Sequence, residues 1–254
     1  MARYFIEVAY KGTAYSGFQV QENAVTVQSE IEKALQVLHR HPIGLTGSSR
    51  TDAGVHALQN YFHFDYEQVV HPQAVYKLNA ILPQDIVVRN IYPMPPEAHS
   101  RFDALSRGYI YKIHRFKDPF IEDASLYYPF KLNFDLLQEG ASLLLSQTNF
   151  LAFSKTNTQV KNFNCSIIRS EWIKTEGGLV YNIEANRFLR GMVRLITGTL
   201  LKLGRERITL KEVHSLFTSD RKAGYSVPSH GLYLERVTYP KNYFPVSGVG
   251  LGGL

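Results

Sequence analysis

The chain has 254 residues, of which 44% are hydrophobic, and its 28 Lys and Arg against 22 Asp and Glu give a net charge of +6. This length fits one large domain or two small ones, and the apolar content is sufficient for a folded core. The single cysteine, Cys165, excludes an internal disulfide and a cage of thiolate metal ligands, while the mild basic excess suits a polyanionic partner without identifying it.

The sequence predicts neither a targeting segment nor a membrane segment. Its first ten residues read as a strand rather than as the long apolar segment of a signal peptide, and no stretch approaches a membrane span in length. Nine histidines are present, but none are spaced as paired ligands on a helix, so we expect no metal site. These features predict a soluble, cytoplasmic protein that does not bind a membrane.

The spacing of apolar residues predicts one α+β unit in the first part of the chain. Residues 3–10 alternate large and polar types with period two, which is typical of a β-strand. Thr26 is a suitable N-cap for a helix with one apolar face, formed by Val27, Ile31, Ala34, Leu35 and Leu38. Further elements are predicted in chain order as strands at 43–46 and 58–64, a helix at 72–81 and a strand at 86–92. The resulting β-α-β-β-α-β order is that of a ferredoxin-like unit.

The run Pro93-Met94-Pro95-Pro96 interrupts this pattern and predicts a domain boundary. Beyond it the pattern restarts, with strands predicted at 107–114, 167–174, 179–185 and 231–239 and helices at 134–145 and 187–203. We therefore predict an α+β protein of two related ferredoxin-like halves, residues 1–96 and 97–240, with a central cleft. The glycine-rich residues 241–254 are predicted to be a flexible tail, because no helix follows them to complete a dinucleotide site.

The loop at residues 46–57 combines small residues with three chemically active side chains. Its sequence, TGSSRTDAGVHA, places Arg50 two residues before Asp52 and His56 four residues after it. The glycines allow the backbone to turn tightly and to approach a ligand closely. Two interpretations follow: Asp52 caps a turn beside a surface ion pair with Arg50, or Asp52 is a catalytic carboxylate. For His56 we favour packing within the loop over proton transfer.

The string GSSRTDAGVHA resembles the active-site loop of the TruA-type tRNA pseudouridine synthases, in which Gly-Arg-Thr-Asp-Ala-Gly-Val-His is usual. Other segments resemble that family along nearly the whole chain, namely residues 17–21 (GFQVQ), 79–86 (NAILPQDI), 99–102 (HSRF), 107–111 (RGYIY), 186–194 (NRFLRGMVR) and 231–234 (GLYL). The chain departs from the family at Ser48-Ser49, where Ala-Gly is more usual, and at Gly108, where a larger and often basic residue is common. The first change keeps the side chains small and is expected to preserve the turn, while the second removes any expectation of a phosphate contact.

The resemblance implies a pseudouridine synthase fold and roles for four residues. Asp52 would be the essential catalytic residue, and Arg194 would pair with its carboxylate. Arg50 would help to extrude the target nucleotide or fill its place, and Tyr109 would stack on the flipped uracil. The resemblance further implies isomerisation of uridine to pseudouridine at positions 38 to 40 of the tRNA anticodon arm, a homodimer that contacts the tRNA with both subunits, and no cofactor.

The residues themselves favour an arginine partner for the carboxylate. Burial raises the pKa of a carboxyl group and a nearby guanidinium lowers it, so a carboxylate kept from water needs such a cation to stay ionised. Arg187, Arg190 and Arg194 are spaced to share one face of the predicted helix. No Asp or Glu occurs between the first of them and Arg205. A solvated basic face is the alternative to binding phosphates or a catalytic carboxylate.

A uridine that reacts at its base must leave the stack and be held against an aromatic face. Tyr109 suits this role because it lies on an aromatic-rich predicted strand, where period two places Tyr111 on the same side. For Tyr111, packing in the core or on the sheet is an equal alternative.

Two other function classes remain open at this stage. A non-catalytic RNA-binding protein built on ferredoxin-like units would explain the basic charge and the sheet aromatics, but it would not explain the Arg-Thr-Asp loop. A small-molecule hydrolase using Asp52 lacks a partner acid or base at a recognisable spacing.

Overall fold

The structure is a computed structural model, and it describes residues 1–155, 161–219, 221–245 and 248–250. Within these residues the helices and strands are β1 (Ala2–Tyr10), α1 (Val27–His39), β2 (Thr46–Gly47), β3 (His56–Tyr66), α2 (Ala74–Ile81), β4 (Ile86–Met94), β5 (Ser106–His114), β6 (Leu126–Tyr127), α3 (Phe134–Leu143), β7 (Ile167–Thr175), β8 (Gly178–Ala185), α4 (Met192–Gly204), α5 (Leu210–Thr218), β9 (Leu232–Thr238) and β10 (Val249–Gly250). The predicted α+β fold is confirmed. None of the helices in the described ranges is long and apolar enough to cross a membrane.

The chain divides into two compact units at positions that differ from the predicted ones. Unit 1 comprises Met1–Leu105 together with Leu234–Leu254, and unit 2 comprises Ser106–Tyr233. The division predicted after residue 96 leaves residues 97–105 out of unit 1. Ser100 connects these residues to the rest of the unit by hydrogen bonds. Its hydroxyl donates to the Thr46 carbonyl at 2.9 Å, and its own carbonyl accepts from the Tyr239 hydroxyl.

Unit 1 contains an antiparallel sheet in the order β10-β4-β1-β3-β2. The chain is still in a strand at the start of the proline run, since β4 continues to Met94 and its Pro93 pairs with Tyr4 on β1. The interruption predicted at this run therefore begins later in the chain. Proline lacks an N–H group and is tolerated where a strand has a neighbour on one side only. Among the described residues, β10 reaches only Ile91 and Asn90 on the other side of β4, so Pro93 meets this condition.

Helices α1 and α2 cover one face of this sheet. The predicted N-cap is confirmed, since the Thr26 side chain accepts from Ser29 N and the Ser29 side chain accepts from Thr26 N, which forms a capping box. The buried residues of the two helices are Val27, Ile31, Ala34 and Leu35 in α1, and Ala74, Val75 and Leu78 in α2. Each large aliphatic side chain buried in this way stabilises the fold by roughly 1.5–3 kcal/mol.

The other face of the unit 1 sheet is covered by residues from the end of the chain. The Phe244 ring stacks on Tyr61 with centroids 5.0 Å apart, and Tyr243 stacks on Tyr239 at 4.9 Å. Residues 249–250 add the short strand β10 to β4. The described part of the predicted flexible tail is therefore packed and paired, because its aromatic residues have a sheet face to cover. Residues 246–247 and 251–254 lie outside the described residues.

Unit 2 has an antiparallel sheet in the order β5-β8-β7, and the short strand β6 runs parallel to β5. Helices α3 and α4 pack closely, because a Cβ at Gly140 would lie 2.5 Å from Leu203 and a Cβ at Gly204 would lie 2.6 Å from Leu137. Helix α5 was absent from the predicted elements, although Thr209 and Glu212 form a capping box at its start.

Candidate active site

The Asp52 loop forms a tight turn in unit 1. The Asp52 carbonyl accepts a hydrogen bond from Val55 N at 3.1 Å, and Gly54 takes the left-handed conformation with φ +75°. Asp52 is half-buried and Arg50 is exposed. The turn predicted by the simpler interpretation is thus present, and it leaves Asp52 partly exposed rather than sealed in the core.

A network of buried side chains fixes the backbone on the N-terminal side of Asp52. The Tyr10 and Thr51 hydroxyls are hydrogen-bonded at 2.9 Å. Asn60 donates to the Ser49 carbonyl at 3.2 Å and accepts from the Ser48 hydroxyl at 2.8 Å. All five residues are buried. Ser48 therefore contributes a bond that the more usual alanine would lack. Tyr10 and Asn60 were not predicted as site residues, because nothing in the sequence distinguishes them from the other polar residues of their strands.

The segment at residues 15–18 supports the other side of the turn. Gly17 has φ +98°, and a Cβ there would lie 3.0 Å from the Thr51 carbonyl oxygen and 3.2 Å from Ala53 N. Phe18 N donates to the Thr51 carbonyl at 3.1 Å, and Gly54 N donates to the Tyr15 carbonyl at 3.3 Å. Gly17 and Phe18, the first residues of the GFQVQ segment, thus pack against the Asp52 loop. That close approach requires a glycine at position 17.

His56 is buried at the start of β3, where its Nδ1 accepts a hydrogen bond from Gly12 N at 3.0 Å. Gly12 in turn lies directly against the Val55 backbone, where a Cβ would overlap the Val55 carbonyl oxygen. These contacts support the packing role expected for the histidine.

Tyr109 and Tyr111 lie on β5 in unit 2, on the same side of the strand and opposite Ile183 and Tyr181 of β8. The Tyr109 ring makes an edge-to-face contact with Phe188 at a centroid distance of 5.2 Å. Tyr111 is fully buried, and its hydroxyl donates to the Pro228 carbonyl at 2.9 Å. Packing is therefore the environment of Tyr111.

The three arginines near α4 do not share a helical face. The predicted helix from Arg187 begins instead at Met192, after Gly191 in the left-handed conformation with φ +74°. Arg187 and Arg190 therefore precede the helix, and only Arg194 lies in its first turn. The prediction of a common basic face is wrong. The left-handed conformation of Gly191 cannot be part of an α-helix, so the helix starts only after it and excludes Arg187 and Arg190.

Arg194 is half-buried, and its Nε donates to the Val227 carbonyl at 2.7 Å. Burial raises the pKa of the Tyr111 phenol well above its ordinary value, and the positive charge of Arg194 opposes that shift. A cation in the first turn of a helix is disfavoured by the helix dipole, whereas an anion is favoured there. At this position of the helix the dipole therefore favours a negatively charged group beside Arg194.

Among the residues that the structure describes, no group of three or more His, Cys, Asp and Glu is placed to hold a metal ion.

Comparison with known proteins identifies the family. A family model described as tRNA pseudouridine synthase matches residues 6–103 and 141–240. The chain belongs to the tRNA pseudouridine synthase family. It is 45% identical over 250 residues to tRNA pseudouridine synthase A of Parabacteroides distasonis, covering 97% of this chain and 99% of that protein. It is 34% identical over 245 residues to the protein of the same name from Staphylococcus aureus, covering 94% and 92%.

Membership makes the chain an isomerase that converts uridine to pseudouridine in tRNA, so the non-catalytic and hydrolase alternatives are not retained. The matched segments contain Arg50, Asp52 and Arg194, while Tyr109 lies between them.

Proposed function

We propose that this pseudouridine synthase acts on uridines 38 to 40 of the tRNA anticodon arm with Asp52 as its catalytic carboxylate. The observation that carries the proposal is the construction of the loop: a half-buried carboxylate on a tight turn that buried hydrogen bonds and two glycines hold on both sides. A loop held in this way can present one oxygen pair to a substrate without reorganising during the reaction.

The reaction requires such a group. Pseudouridine forms when the N1–C1′ glycosidic bond breaks, the uracil turns, and C5 bonds to C1′; C5 loses its proton and N1 gains one, so the product is an isomer of the substrate. The exchange involves no net redox change and needs no group donor. A carboxylate serves as nucleophile, or as base and electrostatic stabiliser. We propose Arg194 as the guanidinium that keeps this carboxylate ionised, since a cation lowers the pKa of a carboxyl group where exclusion of water would raise it.

Tyr109 and Arg50 are proposed to handle the target nucleotide. The uracil has to leave the RNA stack, and an aromatic ring gives it a surface on which to rest. The Tyr109 ring is buried on β5, and its edge-to-face contact with Phe188 at 5.2 Å constrains its orientation. Arg50 is exposed and lies two residues from Asp52, so its side chain is available to the RNA beside the reacting position.

The decisive experiment compares Asp52→Asn with the wild-type enzyme on an anticodon stem-loop RNA. We expect a loss of pseudouridine formation of about ten-thousand-fold or more, with RNA affinity retained, because the amide keeps the shape and loses the charge and nucleophilicity. Asp65→Asn is the matched control, since Asp65 is an exposed carboxylate of the same unit paired with Arg3 and worth little to either property. Normal single-turnover rates in the Asp52 variant would sink the proposal.

The site of modification, the assembly and the location are proposed on the family resemblance. Mapping of pseudouridines in tRNA from cells with and without the enzyme tests positions 38 to 40. Light scattering on the purified protein tests the homodimer. A cytoplasmic location agrees with a tRNA substrate and is tested by fractionation.

A further inference from the structure

Residues 225–231, here called the clamp segment, are held between α4 and β5 by two glycine contacts. A Cβ at Gly198 of α4 would overlap the Tyr225 carbonyl oxygen, and a Cβ at Gly231 would lie 2.8 Å from the Tyr111 ring. Any larger residue at either position would push the segment away. The backbone of the clamp segment therefore approaches both α4 and β5 very closely.

The clamp segment binds both ends of Arg194. The guanidinium Nε donates to the Val227 carbonyl at 2.7 Å, and Val227 N donates to the Arg194 carbonyl at 3.3 Å. Since the guanidinium is planar, a hydrogen bond at Nε sets the plane in which its two terminal NH₂ groups lie. A shift of Val227 would therefore turn the charged end of Arg194.

Tyr111 holds the neighbouring peptide of the same segment. Its hydroxyl donates to the Pro228 carbonyl at 2.9 Å, and its side chain is fully buried on β5. Two consecutive carbonyls, of Val227 and Pro228, thus bind Arg194 and Tyr111. Because burial keeps the phenol protonated far above neutral pH, by raising its pKa, the hydroxyl is a donor under all working conditions.

We propose that Tyr111 is a positioning residue for Arg194, which it orients by holding the Pro228 carbonyl and, through the clamp segment, the Val227 carbonyl. The inference rests on the proposed role of Arg194 and adds a residue that touches no reacting atom. It also accounts for a tyrosine, rather than a phenylalanine, at a fully buried position, where an unbonded hydroxyl would be costly.

The test is Tyr111→Phe, with Tyr181→Phe as the matched control. Tyr181 is the cross-strand partner of Tyr111, is equally buried, and has its own buried hydroxyl bond to Ser170 at 2.8 Å. We expect Tyr111→Phe to lower the single-turnover rate about tenfold or more, because small misplacements of a charged group reduce rates by such factors. Affinity for the stem-loop RNA should change less than about twofold. The control should keep the wild-type rate, and thermal melts should place both variants well within their folded range at the assay temperature.

A double-mutant cycle with Arg194→Lys separates positioning from general loosening. If Tyr111 acts through Arg194, Tyr111→Phe should cause no further loss of rate in the Arg194→Lys background. Additive losses in the double mutant would overturn the positioning role of Tyr111 but not the proposed role of Arg194. The same holds if Tyr111→Phe and Tyr181→Phe have equal rates while Arg194→Lys is slow. A wild-type rate for Arg194→Lys would overturn the proposed function of Arg194, and the role of Tyr111 with it.

Discussion

The Asp52 loop and the clamp segment support their charged side chains in different ways. Asp52 has a short side chain, so the glycines and buried hydrogen bonds that hold its backbone also limit where its carboxylate can lie. Arg194 lies on a regular helix, but its long side chain retains rotamer freedom that the helix does not remove. It needs a second contact at the guanidinium, which the Val227 carbonyl provides. Local backbone geometry is thus enough to confine a short side chain, whereas a long one depends on a distant segment.

The largest effect that bears on this comparison is expected from Arg194→Lys. Lysine keeps the charge but has no Nε donor and no planar fork, so the contact with Val227 and the orientation are both lost. We expect the single-turnover rate to fall about a hundredfold while tRNA affinity changes little. Single-turnover assays measure the rate, and filter binding on the same RNA measures the affinity. Equal losses in both would indicate that Arg194 binds phosphate.

A smaller effect is expected from Tyr10→Phe, which removes one hydroxyl from beneath the Asp52 loop. Thr51 loses its hydrogen-bond partner at 2.9 Å, and the rate should fall about tenfold through displacement of the adjoining Asp52.

Tyr4→Phe is the control for this variant, because Tyr4 lies on the same face of β1 and is also buried, but its hydroxyl contacts the Gln68 carbonyl instead. Similar losses of rate in the two variants would show that the loop is not specially dependent on its buried network.

The smallest effect concerns stability in unit 1 away from the loop. Burial, aided by the charge of Arg3 and by His99, lowers the pKa of His63 to about 4, against opposing contributions from Asp65 and Asp103. The unfolded chain therefore takes up a proton near pH 6.5 that the folded chain resists, so the free energy of unfolding should fall as pH falls from about 6.5 towards 4.

His63→Gln should remove about 1–2 kcal/mol of this pH dependence, because glutamine does not titrate. Urea titrations at about pH 7 and about pH 4.5 measure it. An unchanged pH slope in the variant would contradict the assignment, whereas the rate per folded molecule at neutral pH should match that of the wild type.

Prediction from sequence succeeded where the determining contacts are local. The Thr26 cap, the strand predicted at residues 3–10 and the turn around Asp52 depend largely on neighbours within a few positions, and all three are found, whereas the strand predicted at 43–46 is reduced to Thr46–Gly47. It failed at the start of α4, where the apolar period continues back through residues that are not helical, and Gly191 alone carries the signal to stop.

The aromatic residues near the end of the chain illustrate the same limit. A glycine-rich terminus is typical of a flexible tail, and nothing near Phe244 in the sequence reveals that Tyr61 presents a ring for it to cover. The grouping of residues 97–105 with unit 1 likewise depends on Ser100 reaching Thr46, a residue distant in the chain.

The family, the class of fold and the choice of Asp52 as the candidate carboxylate all follow from the amino-acid order alone, because a contiguous motif and local periodicity carry that information. The support of the charged groups became visible only in the folded chain: Tyr10 and Asn60 lie beneath the Asp52 loop, and Val227 and Tyr111 lie around Arg194. Those contacts join residues far apart in the chain, and their geometry exists only after burial has brought the strands and helices together.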